Sequence, residues 1–197
     1  MKIIRASECR TTAWKNSGGY TTEIAVAPAG ASLDHFDWRV SMARVASEGP
    51  FSEFAGIDRT LAVVAGGGLS LTIGDAAPVV LDPSSDPIGF VGDTPTSARL
   101  AAGAITDLNV MTRRGRFAHR LVRVREPRHC DFNDNDLALV VACSGELELI
   151  FLEESVLLAN GDAAVLMRTG DAAFRITPSP PADGYVVLLR ECGRQAG

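Results

Sequence analysis

No stretch of this chain stays apolar for anything near the roughly 20 residues that a bilayer-spanning helix requires. Basic residues are also in deficit: 19 Lys and Arg against 24 Asp and Glu leave a formal net charge of -5. That excludes the basic stripe of a nucleic-acid face and any electrostatic pull toward anionic membranes. Met1 to Arg10 lacks the apolar segment of a secretory signal, so the expected location is the cytoplasm. Cysteine is sparse. Cys9, Cys130, Cys143 and Cys192 are far apart and form no C-x-x-C pair, which argues against zinc and for reduced thiols. A Cys9–Cys192 staple between the termini is disfavoured in the cytosol.

Histidine is scarcer still, and with it the usual means of holding a transition metal. Only His35, His119 and His129 are present, none two or four residues from another. His35 lies in the polar stretch Leu33-Asp34-His35-Phe36, and His119 is flanked by Arg116 and Arg120. His129 adjoins Cys130, but neighbours in a strand point to opposite faces, so the two are not built to share a proton. Neither a metal nor a cofactor is expected. There is no G-x-G-x-x-G before a helix, no Walker loop and no G-x-S-x-G elbow. A sustained helical period is missing too; the best short candidate is Pro50 to Gly56.

What is present is an ordinary globular composition, 46% hydrophobic and 22% charged over 197 residues, enough for one large β domain or two small ones. Turn residues recur throughout, as at Asn16 to Gly19, Glu48-Gly49-Pro50, Gly66-Gly67-Gly68, Gly74-Asp75, Asn160-Gly161-Asp162 and Thr169-Gly170-Asp171. Between them lie short runs of period two, the signature of half-buried strands. Trp38, Val40 and Met42 alternate with Arg39 and Ser41; Leu69, Leu71 and Ile73 with Ser70 and Thr72; Leu147 and Leu149 with Glu146 and Glu148; Asp107, Asn109 and Met111 with Leu108 and Val110. Many short strands with frequent Gly and Pro predict an all-β barrel or sandwich.

One segment occurs twice. Val63-Val64-Ala65-Gly66-Gly67-Gly68-Leu69-Ser70-Leu71-Thr72-Ile73 is echoed by Val140-Val141-Ala142-Cys143-Ser144-Gly145-Glu146-Leu147-Glu148-Leu149-Ile150, with one gap residue. Each copy reads as strand, tight turn, strand. Each is followed by a further apolar segment, Val79-Val80-Leu81 and Val156-Leu157-Leu158. The alternative is coincidence among common β residues; duplication is preferred. A half built of hairpins, with a Gly-Asp turn before a core strand, resembles a cupin, and a duplicated one a bicupin. The expected halves are 1–119, carrying a ligand pocket, and 120–197, a structural partner.

Four polar clusters stand out in the first half: Trp14-Lys15-Asn16 through Thr21-Thr22-Glu23-Ile24, Trp38-Arg39-Val40-Ser41, Gly49-Pro50-Phe51-Ser52-Glu53-Phe54 running on to Asp58-Arg59, and Asp107 to Arg114. If Leu108 and Val110 pack in a core, Asp107, Asn109 and Met111 face either solvent or a barrel interior. The same choice holds for Arg39 and Ser41. An interior placement needs partners, because each unpaired buried polar group costs roughly 1–3 kcal/mol; a ligand would supply them. Arg suits a carboxylate, and Asn and Ser suit a neighbouring amide or carbonyl. Asp58-Arg59 reads as a structural pair anchoring a loop.

These clusters also carry a family resemblance. Trp14-Lys15-Asn16-Ser17-Gly18-Gly19, Thr22-Glu23-Ile24-Ala25, Trp38-Arg39-Val40-Ser41-Met42-Ala43, Gly49-Pro50-Phe51-Ser52-Glu53-Phe54, Gly56-Ile57-Asp58-Arg59, Phe90-Val91-Gly92-Asp93 and Asp107-Leu108-Asn109-Val110-Met111-Thr112-Arg113-Arg114 occur in the order seen in the HutD/Ves family. The similarity is strong over about residues 1–115 and looser beyond. One departure is Ser17, where the family commonly has glycine. The resemblance implies a cytoplasmic bacterial bicupin without the usual metal ligands. It further implies a link to histidine utilisation, with a regulatory role sensing N-formylglutamate or urocanate, or, on the Ves side, to stress and cold response. No enzymatic activity is established for the family.

The expectation is therefore a metal-independent binding protein for a small polar or carboxylate ligand. Arg39, Ser41, Asp107, Asn109 and Met111 are the leading ligand-binding candidates, and Asn16, Glu23 and Ser52 the secondary ones. Two alternatives remain. One is a metal-independent lyase, isomerase or hydrolase with Glu23 or Asp107 as base; the other is a pure interaction protein, which no charged tail or long amphipathic helix recommends. A homodimer through edge strands is compatible by analogy with cupins.

Overall fold

Wherever the sequence alternates apolar and polar residues, the chain is extended. The computed structural model describes residues 1–15 and 17–193. In chain order its strands are β1 (Lys2–Ile4), β2 (Arg10–Ala13), β3 (Gly19–Ala27), β4 (Trp38–Val45), β5 (Gly49–Pro50), β6 (Ile57–Ala65), β7 (Leu69–Ile73), β8 (Val79–Leu81), β9 (Ile88–Val91), β10 (Thr96–Leu100), β11 (Ile105–Arg113), β12 (Phe117–Val124), β13 (Arg128–Asp131), β14 (Leu137–Phe151), β15 (Glu154–Leu158), β16 (Ala163–Met167) and β17 (Ala173–Glu191). Among the described residues the helical content is one 3-10 turn, Ala6–Glu8. No helix of the described residues is long and apolar enough to cross a membrane.

The short helix expected at Pro50 to Gly56 does not form. Its backbone donors are taken by other segments: Phe51 N bonds Thr96 O at 2.8 Å, Phe54 N bonds Gly92 O at 2.8 Å, and Gly56 N bonds Asp93 Oδ1 at 2.9 Å. Tertiary partners outcompete the local i→i−4 ladder here, and the segment is an extended strap.

The chain divides into two compact units. The first, Arg10–Arg114, has a six-stranded antiparallel sheet in the order β2-β3-β4-β11-β6-β9 and a four-stranded one in the order β5-β10-β7-β8. The two sheets share a core. Val45, Leu61, Val63 and Ile105 come from the larger, and Leu69, Leu71 and Ala98 from the smaller, with Leu81. Each fully buried leucine here contributes about 1.5–3 kcal/mol.

The second unit joins Met1–Cys9 to the chain from Gly115 onward. Its strands run β1-β16-β14-β17-β12, with β13 on β17 and β15 on β14. The first nine residues thus belong with the C-terminal half, because β1 pairs with β16 through Lys2↔Val165, Ile3↔Ala164 and Ile4↔Ala163. Asp162 fixes this strap further, accepting from Arg5 Nη1 at 2.6 Å and Ala6 N at 2.9 Å. The core of this unit is apolar throughout, built around Phe132, Val140, Leu147, Phe151, Phe174 and Val186.

The repeated segment occupies matching places in the two pairing schemes. In the first unit β6 pairs with β11 and β9, then Gly66-Gly67-Gly68 carries the chain to β7, which pairs with β10 and β8. In the second, β14 pairs first with the end of β17 and β16, then with the start of β17 and β15. The tight turn expected in the second copy is absent. β14 crosses the corner as one strand, shifting register between Ala142 and Glu146; a bulge bends a strand without ending it.

Gly66 allows the first corner. It sits at φ 97°, and a Cβ there would lie 2.5 Å from Ala104 O and 2.8 Å from Ile105 Cα. Gly66→Ala is predicted to lower stability by about 2 kcal/mol or more, from backbone strain plus collision with backbone. Gly30, at φ 76° with open space around it, serves as control: Gly30→Ala carries only the strain, about 1 kcal/mol. Urea denaturation midpoints of the two variants measure the difference.

Candidate functional site

β11 lies at the centre of the large sheet of the first unit, and its alternate residues set the site. Asp107 pairs across with Ala43 on β4 and Val63 on β6; Asn109 with Ser41 and Leu61; Met111 with Arg39 and Arg59. The next strands extend these rows. On β3, Glu23 is opposite Ser41 and Val26 opposite Arg39; on β9, Phe90 is opposite Arg59 and Ile88 opposite Leu61. Directly paired residues share a face of a sheet. Leu61 and Val63 belong to the core between the two sheets, so this face is the interior one. Leu108 and Val110, on the other face, are fully buried as well.

Several of the polar groups on the interior face are therefore out of water, and Arg39, Asn109 and Glu23 are partly so. Ser41, Arg59 and Asp107 are 2%, 5% and 2% exposed, a burial that charged residues reach only with partners. Arg39 has them: Nε donates to Glu23 Oε2 at 2.8 Å and Nη1 to Ser41 Oγ at 3.3 Å. Arg59 has them in part. Nη1 donates to Ser52 O at 3.2 Å, and the guanidinium carbon lies 5.5, 5.5 and 5.0 Å from the ring centres of Phe51, Phe54 and Phe90. Aromatic faces attract a cation electrostatically but accept no full hydrogen bond.

Three buried atoms of this face have no hydrogen-bond partner among the described residues: Arg59 Nε, Asp107 Oδ1 and Asn109 Oδ1. Burial pushes the Asp107 carboxyl up to about 7, against the opposing pull of the Arg59 charge. Burial also lowers Arg59 to about 10, with Asp107 opposing and the like charge of Arg39 adding to the shift. Two guanidinium groups thus flank Met111, and among the described residues the one carboxylate hydrogen-bonded to either of them, Glu23, sits on the Arg39 side. Such an arrangement can hold an anion between the cations and a donor against Asp107 and Asn109.

Of the residues singled out in the sequence, the structure brings Arg39, Ser41, Asp107, Asn109, Met111 and Glu23 to one face. Ser52 reaches it only through its carbonyl, and its side chain is exposed. Asn16 lies outside the described residues. The sequence reading missed Arg59 and its three phenylalanines. Asp58 and Arg59 are not one structural pair: Asp58 bonds Arg114 Nε at 2.9 Å, while Arg59 turns inward. Parity held the clue, since Arg59 alternates in step with Leu61 and Val63.

The histidines are dispersed. His35 is exposed in a loop with Nδ1 3.0 Å from Ser32 Oγ, and His129 is exposed on β13. Among the described residues no group of three or more His, Cys, Asp or Glu is placed to hold a metal. With Val63 set against Val140, as in the repeated segment, the row of the second unit matching Ala43-Asp107-Val63 is Val122-Val186-Val140, which is wholly apolar, and the row matching Ser41-Asn109-Leu61 is Arg120-Leu188-Ala138. That unit has a hollow of about 170 Å³ lined by Asp131, Asn133, Arg168 and Asp171, none of which has a buried unpartnered atom among the described residues; elsewhere in the unit the hydroxyl of the fully buried Tyr185 has no partner among the described residues.

Two antiparallel barrel-like units with one pairing scheme, the first carrying buried polar groups beside its apolar core, define a double-barrel protein of the cupin class. A cupin barrel domain protein from Leptotrichia buccalis has the same fold, with a TM-score of 0.54 at 11% identity over 92% of this chain and 96% of that one. The chain belongs to the HutD family, whose model matches residues 6–181. It is 36% identical over 121 residues to an uncharacterised 21.2 kDa protein from the hutC 3' region of Pseudomonas putida, a match spanning 61% of this chain and 63% of that protein. It is 36% identical over 137 residues to protein Ves of Citrobacter koseri, spanning 69% of each. The structure of HutD from Pseudomonas fluorescens SBW25, in a formate condition, superposes with a TM-score of 0.83 at 29% identity over 98% of this chain and 99% of that one.

The Asp107 carboxyl gives a test of this geometry. Its value in the folded protein lies above that of an ordinary carboxylate, so the folded chain holds the proton more tightly than the unfolded one. The resulting stability is complete below about pH 4 and is lost as pH rises through about 7. Asp107→Asn is predicted to remove this dependence: relative to the parent, the variant gains on the order of 3 kcal/mol between pH 4 and pH 8. Chemical denaturation of both proteins across that range checks it.

Proposed function

We propose that the interior of the first unit binds a small carboxylate without a metal, and that the protein is a cytoplasmic sensor of such a metabolite in the regulation of histidine utilisation. N-formylglutamate and urocanate are the candidate ligands. The observation that carries the reading is the convergence of Arg39 and Arg59 on either side of Met111, with Arg59 Nε, Asp107 Oδ1 and Asn109 Oδ1 left without partners among the described residues. Each such group costs roughly 1–3 kcal/mol when buried unpaired, and a bound carboxylate with a polar neighbour removes much of that cost. Guanidinium and carboxylate pair through two parallel hydrogen bonds. The family membership and the hutC-region origin of the Pseudomonas putida relative support the pathway.

A second reading rests on Asp107. A buried carboxyl near 7, within the field of the Arg59 cation that would hold a substrate acid, has the protonation balance of a general base. In that reading the protein is a metal-independent enzyme on a small acid. Turnover that survives chelators and vanishes in Asp107→Asn would favour it.

Titration calorimetry with urocanate, N-formylglutamate and formate tests binding. The expected result is saturable heat with at least one of them, weakened about thirtyfold or more in Arg59→Met, as for loss of one partner of a buried charge pair. Absence of heat with all three at millimolar concentration contradicts the proposal.

A further inference from the structure

Resting on the reading of the first unit's interior as a binding site, we infer that the strap from Phe51 to Ala55 is its gate: a segment that pivots on Gly49 and Gly56, is latched by Arg114, and uncovers Arg59 when it swings away. The atoms such a site would use are sealed off. Arg59 is 5% exposed and Asp107 2%, and Arg59 Nε, Asp107 Oδ1 and Asn109 Oδ1 are out of contact with solvent. Nothing reaches them until a covering segment moves.

Most of what covers Arg59 comes from one segment. Of its partners among the described residues, the Ser52 carbonyl and the rings of Phe51 and Phe54 belong to the strap, and Phe90 to the sheet. Arg39, by contrast, has its partners Glu23 and Ser41 within the sheet. The strap is attached through Phe51 N to Thr96 O, Phe54 N to Gly92 O and Gly56 N to Asp93 Oδ1, and through the two-residue strand β5, where Gly49 pairs with Ala98 and Pro50 with Ser97. None of these contacts is part of the pairing of the six-stranded sheet. The strap can therefore leave while β4, β11, β6 and β9 keep their register.

Its two ends have the freedom to pivot. Gly49 lies at φ 148° and Gly56 at φ 70°, and among the described residues neither has a neighbour within 4 Å of where a Cβ would stand. Backbone conformation, and not lack of room, is what calls for glycine there, and glycine passes between such conformations at little cost. Hinges are a few residues of this kind at the ends of an element. The latch lies at the surface. Arg114 donates from Nε to Asp58 Oδ1 at 2.9 Å and from Nη2 to Asp93 Oδ2 at 2.9 Å, while Asp93 Oδ1 accepts from the hinge at Gly56 N. All three side chains are nearly half exposed, and ion pairs in contact with water hold weakly. One cation thus ties the Gly56 hinge to the Gly92-Asp93 turn by a bond that closes the strap and releases it readily.

Modification of arginines by phenylglyoxal, mapped by mass spectrometry on the ligand-free protein, tests the gate. Static exposure favours Arg39, the less buried of the two. The gate predicts that Arg59 is modified in the folded protein, at a rate that hardly changes with urea below the unfolding transition, because opening the strap exposes little surface. Asp93→Asn and Arg114→Gln are each expected to raise that rate about two- to fivefold, as for loss of an exposed ion pair, and either variant suffices if the other fails to fold. Modification of Arg59 with the urea dependence of global unfolding, or unaltered rates in the folded variants, overturns the inference. Urocanate and N-formylglutamate separate the gate from the site. Slower modification of Arg59 at millimolar ligand supports both; unprotected modification through a working gate retains the gate and contradicts the carboxylate reading.

Discussion

Burying a guanidinium costs several kcal/mol unless its charge and its N–H groups are answered, and the first unit is organised around that constraint at Arg59. Three phenylalanine rings, one backbone carbonyl and the field of Asp107 provide the answer in part. Each contribution has a structural consequence. Phe51, Phe54 and the Ser52 carbonyl come from the strap between β5 and β6, which is why that segment stays extended. Phe90 comes from β9, the edge strand that pairs Phe90 with Arg59 directly. Asp107 comes from the centre of the sheet, where burial raises its own proton affinity. What remains unanswered among the described residues is one donor and two acceptors on the same face.

The second unit shows what the same pairing scheme is like without that constraint. Its row matching Ala43-Asp107-Val63 holds valines, and its core cluster consists of aliphatic and phenylalanine side chains, while Tyr185 is buried elsewhere in the unit. The polar interior is thus not imposed by the fold. A buried carboxylate and guanidinium on that face set the first unit apart, at the expense of apolar packing that the Val122-Val186-Val140 row shows the pairing scheme supports. Such departures from local packing rules concentrate at functional sites.

Much of this was legible in the sequence. Period-two runs located β4, β7, β11 and part of β14, and the repeated Val-Val-Ala segment anticipated the common pairing scheme. Parity also put Arg39 and Ser41 together, and Asp107, Asn109 and Met111 together. It could not choose between interior and solvent, since that depends on which face meets the second sheet. Arg59 was missed because it follows Asp58, and adjacent opposite charges suggest a pair, whereas adjacent strand residues point apart. The strap was misread because seven residues without long-range information carry only local propensity, and their partners Thr96 and Gly92 are some 40 residues away. The corner in β14 was read as a turn because Ser-Gly marks turns and bulges alike.

The central claim is that a small carboxylate occupies the interior of the first unit between Arg39 and Arg59. A crystal structure of the protein grown with urocanate or N-formylglutamate tests it most directly. The account predicts density for the ligand over Met111, its carboxylate on the Arg59 guanidinium and a polar atom against Asp107. A first unit whose interior is empty at saturating ligand, or a ligand bound elsewhere on the chain, would contradict it.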